Sequence, residues 1–322
     1  MTWFSRRVLP FLQLCRFAAV FTAIADIAAG LALTGKLESW QSTSLWLLVA
    51  TVGLYLSGMA WNDYFDREID AVERPKRPLP SGRVTLGAAR VFAGSLMVVG
   101  GLAALLATWQ SGRMEPAVVA LLLIVAILGY DVVAKNHAWG PLVMGLCRFL
   151  NLLLGASLGL VMNPAWWDAD RRSWDPSVLP WLIAAGNGVY IVGVTLFSRN
   201  EAGQSSRSRL VQALGVANLG LLVLGVGHLF WPRDPGRTGF GGVWGALVLW
   251  IAIVALINRV AWEAVRNPGP QPVQVTIRTM LTSLILLDAL VVLQATQGPW
   301  WALGVLLLRY PAQWIGRRLA IT

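Results

Sequence analysis

The chain of 322 residues is apolar and basic: 56% of its residues are hydrophobic, 13% are charged, and the formal net charge is +10. Apolar runs such as "WGALVLWIAIVALI" approach the roughly 20 residues needed to cross a bilayer core, which excludes an ordinary soluble globular fold. Anionic lipid accounts for the excess of cationic side chains, so the charge does not indicate a nucleic-acid partner.

Hydropathy predicts an all-α bundle of about nine transmembrane helices, formed by residues 1–322 as a single domain. The first apolar stretch is expected to remain in the protein as an uncleaved helix. The nine spans are predicted at about 14–35, 43–64, 89–109, 115–134, 139–163, 179–197, 209–230, 241–259 and 277–296. Residues 299–312 are too short to predict a tenth span, and that crossing stays open.

The distribution of Lys and Arg among the loops predicts the orientation of the bundle. If the N-terminus is cytoplasmic, most of these cations lie in cytoplasmic loops, while the loops on the opposite side are rich in Trp and Pro. We therefore expect a multi-pass integral protein of a bacterial inner membrane. The polar loop after the second span is expected on its cytoplasmic face.

The second span runs into "WNDYFDREIDAVERPKRPLPSG", residues 61–82, where charges are concentrated. In a continuing helix Asn62, Asp66 and Asp70 are four residues apart, and Asp63 shares their face. Like charges on one stripe repel each other unless a cation lies among them. Mg²⁺ is the natural candidate, because this hard ion takes oxygen ligands from a few carboxylates and from substrate phosphates.

A basic loop follows the aspartate stripe. Arg74, Lys76, Arg77 and Arg83 come after the helix, among three prolines, and could contact phosphate charge that the metal leaves uncompensated. A simpler alternative is that these cations only set the orientation. In that alternative Asp63 with Arg67, and Asp70 with Arg74, form local pairs within the helix.

The stretch "NDYFDREID" resembles the N-D-x-x-D-x-x-x-D signature of the UbiA superfamily of intramembrane prenyltransferases, and "ERPKRPLPSGRV" resembles the segment that follows it there. The later stretch "YDVVAKNHAWGPLVMGLCRFLNLLLG" is similar to the fourth-to-fifth helix region of the superfamily, and more closely to its EboC branch. The resemblance implies a bundle whose central cavity opens sideways to lipid. It also implies Mg²⁺-dependent transfer of an isoprenyl group from an isoprenyl diphosphate to an aromatic or other lipophilic acceptor within the membrane.

The resemblance also implies roles for individual residues. Asn62, Asp66 and Asp70 would be metal ligands supported by Asp63, and Asp66 and Asp70 would be catalytic. The diphosphate would be bound by cationic and phenolic side chains, namely Arg16, Arg74, Lys76, Arg77, Tyr130, Lys135 and Arg199.

A second motif of the superfamily, an aspartate pair after the sixth span, should fall in "SRNEAGQSSRSRL". Only Glu201 is a carboxylate there, although Asn200 and Gln204 offer neutral oxygens and Arg199 adds a cation. Glu201 is therefore the third expected catalytic residue, and a second Mg²⁺ would be held weakly. Two functions remain open: an active prenyltransferase, or a non-catalytic relative that binds or moves an isoprenoid or another lipid-like molecule.

Three charged residues are expected inside the spans, namely Asp26, Arg148 and Asp288. A charge in the membrane interior is costly and normally has a partner or lines a wet cavity. Arg148 is expected either to neutralise one of the aspartates or to contact the acceptor. Asn151 and Asn187 are expected to form hydrogen bonds between helices.

Overall fold

In a computed structural model, residues 8–164, 175–199, 203–231 and 242–319 are described, and every regular element among them is helical. The helices are α1 (Leu9–Leu14), α2 (Val20–Leu33), α3 (Ser42–Phe65), α4 (Arg67–Glu73), α5 (Leu86–Ser111), α6 (Glu115–Val132), α7 (Gly140–Ala156), α8 (Leu179–Ser198), α9 (Arg207–Leu229), α10 (Val243–Arg266), α11 (Pro270–Ala295), α12 (Pro299–Leu307) and α13 (Arg309–Leu319). Short 3₁₀ turns, Phe17–Ala19 and Ala134–Asn136, precede α2 and α7.

Seven of these helices are long and apolar enough to cross a bilayer, and the shorter apolar segments Phe17–Leu33 and Gly140–Ala156 match the remaining predicted spans. The prediction of a helical membrane bundle with about nine spans is confirmed. The two shorter helices are largely buried by their neighbours.

The membrane helices form a closed ring in which sequence neighbours pack together. Helix α3 packs on α5, and α5 through α11 pack in chain order. The ring closes where α11 packs on α2 and α2 on α3, and α2 also packs on α7 across the interior. Helix α2 is therefore a central element, which explains its nearly complete burial.

Glycine permits the close approach of α2 and α7. A methyl group at Gly155 would lie 2.7 Å from the carbonyl oxygen of Ile27, and one at Gly30 would overlap the backbone of α7. Small residues let membrane helices approach closely, and close approach increases van der Waals contact where no water-driven force is available. The two glycines thus set the distance between these helices.

The outer surface of the ring is apolar where lipid would contact it. Exposed side chains of α5, α6 and α10 include Leu105, Trp109, Leu121, Val125, Trp244, Val248 and Ile251. An apolar surface of this extent would aggregate in water but suits a bilayer.

The C-terminal helices α12 and α13 together run the length of the bundle. At one end the Gln297 amide donates a hydrogen bond to the Glu38 carboxylate; at the other Gln13 Nε2 donates to the Leu319 carbonyl at 3.4 Å. Residues 299–319 in helical form reach about 31 Å, enough for a crossing. The segment that sequence alone left open therefore returns to the end of the bundle where α1 lies.

Candidate active site

The aspartate stripe lies at the junction of α3 and α4. The helical ladder continues through this junction, because the Asp66 amide donates to the Asn62 carbonyl at 3.0 Å and the Asp70 amide donates to the Asp66 carbonyl at 2.8 Å. The four polar residues keep helical spacing and share one stripe, as the sequence spacing predicts. Asn62 and Asp66 form the first edge of this aspartate stripe, and Asp63 and Asp70 form the second edge. The two edges contact different parts of the chain.

The first edge faces the turn after α6. Lys135, in the turn Ala134–Asn136, forms a salt bridge with Asp66. The Asn62 side-chain amide donates to Asp131 Oδ1 at 3.1 Å, and Tyr130 precedes Asp131 in the last turn of α6. The structure therefore brings Asn62, Asp66 and Lys135 together, next to the end of α6 that carries Tyr130.

The second edge faces the basic loop. Arg77 Nη1 lies 2.6 Å from Asp70 Oδ2 and 3.2 Å from Asp63 Oδ1, and both aspartates are buried, with 3% and 4% exposure. Burial raises the pKa of the Asp70 carboxyl above its ordinary value, although the Arg77 guanidinium opposes this shift. The Arg77 guanidinium therefore favours the ionised form of Asp70.

Arg16 lies between the two edges. Its Nη2 donates to Asn62 Oδ1 at 3.3 Å and to Asp63 Oδ1 at 3.0 Å. Arg16 adopts φ 46° and ψ 48°, and it is the only non-glycine residue with positive φ among the described residues. A left-handed conformation costs free energy for a residue with a Cβ atom and is typical of functional sites.

The basic loop is fixed to α1 and borders a cleft. Arg83 donates to Gln13 Oε1 at 2.7 Å and to the Lys76 carbonyl at 2.6 Å. The cleft has a volume of about 620 Å³ and is lined by four of the predicted diphosphate ligands: Arg16, Arg74, Lys76 and Arg77. Gly316 and Leu319 of α13 line it from the opposite side.

Arg199 lies near the first edge without contacting the aspartates. Its Nη2 donates to the carbonyl oxygens of His137 and Ala138 at 2.8 and 3.2 Å, which ties the end of α8 to the chain segment just after Lys135. Glu201 and Asn200 lie outside the described residues, so the expected role of Glu201 stays a prediction.

The donor chemistry of the stripe suits Mg²⁺, since three carboxylates and one amide oxygen are hard ligands. Each aspartate of the stripe is held by a basic side chain, and the described part of the chain contains no group of three His, Cys, Asp or Glu side chains placed to hold a metal ion. Lys135 and Arg77 thus occupy the carboxylates that a divalent cation would bind.

Two features of the site differ from or extend the sequence interpretation. The local pair Asp63–Arg67 is wrong: Arg67 instead contacts Glu68 at 2.9 Å, because Arg77 and Arg16 reach Asp63 from distant parts of the chain. The contact of Asp131 with Asn62 was also missed. The spacing of Asp131 and Lys135, one helical turn apart, was the signal that both face the stripe.

Comparison with known proteins identifies the family. The profile of the UbiA prenyltransferase family matches residues 19–280. This chain belongs to the UbiA prenyltransferase family. Its family membership and its apolar helices together identify a multi-pass integral membrane protein.

The relatives of this UbiA family protein include named enzymes and proteins of known structure. It is 40% identical over 93 residues to the digeranylgeranylglyceryl phosphate synthase of Methanothrix thermoacetophila, covering 29% of this chain and 35% of that one. It is 34% identical over 154 residues to the enzyme of the same name from Methanopyrus kandleri, covering 48% and 52%. The matches thus span between a third and about half of the relatives' lengths.

A solved UbiA homolog from Archaeoglobus fulgidus bound to GPP and Mg²⁺ shares the fold, with a TM-score of 0.60 and 13% sequence identity. That alignment covers 92% of this chain and 99% of the homolog. At this identity the likeness concerns the fold, and the UbiA family fold therefore extends over nearly the whole chain.

Proposed function

We propose that this protein transfers an isoprenyl group from an isoprenyl diphosphate to a lipophilic acceptor within the membrane. The observation that carries the proposal is the aspartate stripe, which is bordered by cationic side chains on both edges at one end of an apolar bundle. The names of the curated relatives and the GPP and Mg²⁺ of the Archaeoglobus homolog support the same reaction class.

Mg²⁺ would be held by Asn62, Asp66 and Asp70, with Asp63 in support. When bound, it would offset charge on the diphosphate and so favour its departure. Because Lys135 already contacts Asp66, we infer that this ammonium moves its contact to a phosphate oxygen when metal and substrate bind. Arg16, Tyr130 and Arg199 lie on the same side and complete the expected diphosphate contacts.

Charge and burial explain how the chain would assist the reaction. The bond between the allylic carbon and the diphosphate oxygen breaks, the electron pair leaves with the diphosphate, and a new bond forms from the acceptor to that carbon while the acceptor loses a proton. Cations of the basic loop, namely Arg74, Lys76 and Arg77, stabilise the leaving charge. Apolar helices exclude water that would otherwise capture the allylic carbon.

The site is proposed to face the cytoplasm, because the basic loop and most other Lys and Arg residues lie in the loops that the sequence predicts on one side of the membrane. Isoprenyl diphosphate, a charged molecule with an apolar tail, would then bind from the water interface and extend its tail between the helices.

Purified protein in lipid vesicles, given radiolabelled isoprenyl diphosphates of several lengths, Mg²⁺ and extracted membrane lipids, tests the proposal. We expect label to appear in a product that no longer carries diphosphate. Binding of the diphosphate without transfer to any lipid fraction would instead support the non-catalytic alternative, which is favoured by the single carboxylate Glu201 in the second motif.

A further inference from the structure

A second cluster of ionisable side chains lies inside the bundle, apart from the aspartate stripe. We call Asp26, Arg148 and Asp288 the inner cluster; they come from α2, α7 and α11. Asp26 and Asp288 are completely buried, and Arg148 is 8% exposed. None of the three is used by the proposed reaction, so the cluster requires its own explanation.

Arg148 contacts the side of the inner cluster that α2 forms. Its Nε lies 2.8 Å from Asp26 Oδ2, and its terminal nitrogens donate to the hydroxyl and carbonyl oxygens of Thr22 at 3.2 and 2.8 Å. Asp26 Oδ2 also accepts a hydrogen bond from Asn151 Nδ2 at 2.8 Å. Asp26 is therefore the carboxylate that the guanidinium stabilises.

Asp288 has weaker support. Its Oδ1 accepts a hydrogen bond from Asn187 Nδ2 at 3.1 Å, and no cation lies within salt-bridge distance of it among the described residues. Its carboxyl group nevertheless interacts with that of Asp26 across the contact between α11 and α2. Two ionised carboxylates offer only acceptors, so this contact needs a hydrogen between them.

Buried polar atoms without hydrogen-bond partners also lie in the inner cluster. Within the described residues, Asp26 Oδ1, Asp288 Oδ2 and Asn187 Oδ1 are buried without a hydrogen-bond partner. Arg148 Nε is also without one, because it lies 2.8 Å from Asp26 Oδ2 but not in hydrogen-bond geometry. A buried unpaired oxygen costs free energy, and an unpaired carboxylate costs much more. The three oxygens indicate that the inner cluster holds something that supplies at least one donor.

The charge balance of the inner cluster also calls for one additional positive charge. With both aspartates ionised, Arg148 would leave one net negative charge in the membrane interior, where an uncompensated charge is strongly disfavoured. One added positive charge makes the inner cluster neutral. The other polar groups facing it, Thr51, Tyr55 and Asn187, are neutral and do not change this balance.

We propose that Asp26 and Asp288 bind one proton between them, so that Asp288 is a carboxylic acid and Asp26 remains the carboxylate paired with Arg148. The Asp288 carboxylate takes up this proton from water as the bundle assembles, and its hydroxyl donates to Asp26. The bound proton joins α11 to α2, and through Arg148 and Asn151 to α7. It thereby fixes two helices that begin next to Arg16 and Lys135.

A proton fits this place better than a metal cation. Metal ions in proteins need several oxygen ligands in a regular shell, whereas three oxygens without partners remain here, one of them an amide. A proton needs one donor oxygen and one acceptor oxygen, which the two carboxyl groups provide.

Infrared spectroscopy of protein with ¹³C-labelled aspartate carboxyl groups, near neutral pH, tests the proposal by counting protonated aspartates. We expect Asp288→Asn to remove one protonated-carboxyl band relative to the wild type, because the amide supplies the donor and the remaining charges balance. Asp26→Asn should remove the same band. Arg148→Gln should add one, because without the guanidinium both carboxyl groups must be protonated.

Equal band intensity in the wild type and Asp288→Asn would overturn the proposal, as would an Arg148→Gln spectrum without added intensity. If Asp288→Asn does not fold, Asp26→Asn carries the same expectation, and a wild type without any protonated aspartate decides against the proposal by itself. A thermal unfolding midpoint that rises with NaCl but not with choline chloride, and only while Asp288 is present, would show a sodium ion in place of the proton.

Discussion

At the scale of single residues, the aspartate stripe accounts for the local charge pattern and for the proposed chemistry. Asp66 faces Lys135, Asp63 and Asp70 face Arg77, and Arg16 lies between these pairs. Each carboxylate therefore lies beside a cation that could also contact diphosphate. The pairing that stabilises the protein and the pairing expected for the substrate use the same side chains.

Removing one proposed metal ligand should reduce turnover strongly. We expect Asp70→Asn to lower the Mg²⁺-dependent rate by about 100-fold, since loss of metal stabilisation is worth several kcal/mol and 1.36 kcal/mol changes a rate tenfold. The measurement is initial rate against Mg²⁺ concentration, with circular dichroism as a check of folding. A rate within about threefold of the wild type would remove Asp70 from the proposed metal site.

Lys135 should contribute to binding of the diphosphate in addition to its salt bridge with Asp66. Hydrogen bonds to charged groups contribute about 1.5–3 kcal/mol, so Lys135→Gln should weaken binding of an isoprenyl diphosphate about tenfold or more. Isothermal titration with Mg²⁺ present measures this affinity. Unchanged affinity would mean that Lys135 only neutralises Asp66.

Arg77 should contribute to stability because it forms salt bridges with two buried carboxylates, those of Asp63 and Asp70. Breaking a buried ion pair by removing one partner costs about 3–5 kcal/mol, so Arg77→Gln should clearly lower the thermal unfolding midpoint. The matched control is Arg67→Gln, whose pair with the exposed Glu68 contributes at most about 1 kcal/mol. Similar midpoints for both variants would contradict the burial argument.

At the scale of elements, the approach of α2 and α7 depends on glycine. A valine at Gly155 would overlap the Ile27 backbone, and overpacking of this kind costs about 1–3 kcal/mol. Gly155→Val should therefore lower the unfolding midpoint. Gly94→Ala in α5 is the control, since nothing lies near a methyl group at that position.

Sequence patterns predicted some features of the structure and not others. The long spans follow directly from continuous hydrophobicity, and the stripe follows from the spacing of Asn62, Asp66 and Asp70. Contacts between distant segments, such as Arg77 with Asp63 or Asn62 with Asp131, could not be predicted, because the charges alone allow several pairings. The course of the C-terminal segment was left open because the apolar residues 299–312 are too short to predict a span, and the polar helix α13 supplies the remaining length.

At the scale of the whole molecule, the ring of helices places the stripe, the basic loop and both terminal segments at one end. That residues 1–322 form a single domain stays a prediction. The inner cluster lies deeper, between α2, α7 and α11, where it connects the helices that carry the site to the rest of the ring.

The course of the chain predicts which positions are reached from the same side of a membrane. In oriented vesicles, a cysteine at Ser81 and one at Arg318 should react with a membrane-impermeant maleimide from one side. A cysteine at Ser39 should react from the other side only. Labelling of the C-terminal cysteine together with Ser39 would contradict the crossing formed by α12 and α13.

The central claim is that the aspartate stripe supports Mg²⁺-dependent release of diphosphate from an isoprenyl diphosphate. The most direct measurement compares this release, with and without Mg²⁺, in the wild type, Asp66→Asn and Glu68→Gln, whose exposed side chain lies off the stripe. We predict Mg²⁺-dependent release by the wild type and by Glu68→Gln, and release at least about 100-fold slower by Asp66→Asn. Equal release by all three proteins, or no release by the wild type with any chain length and acceptor, would contradict the account.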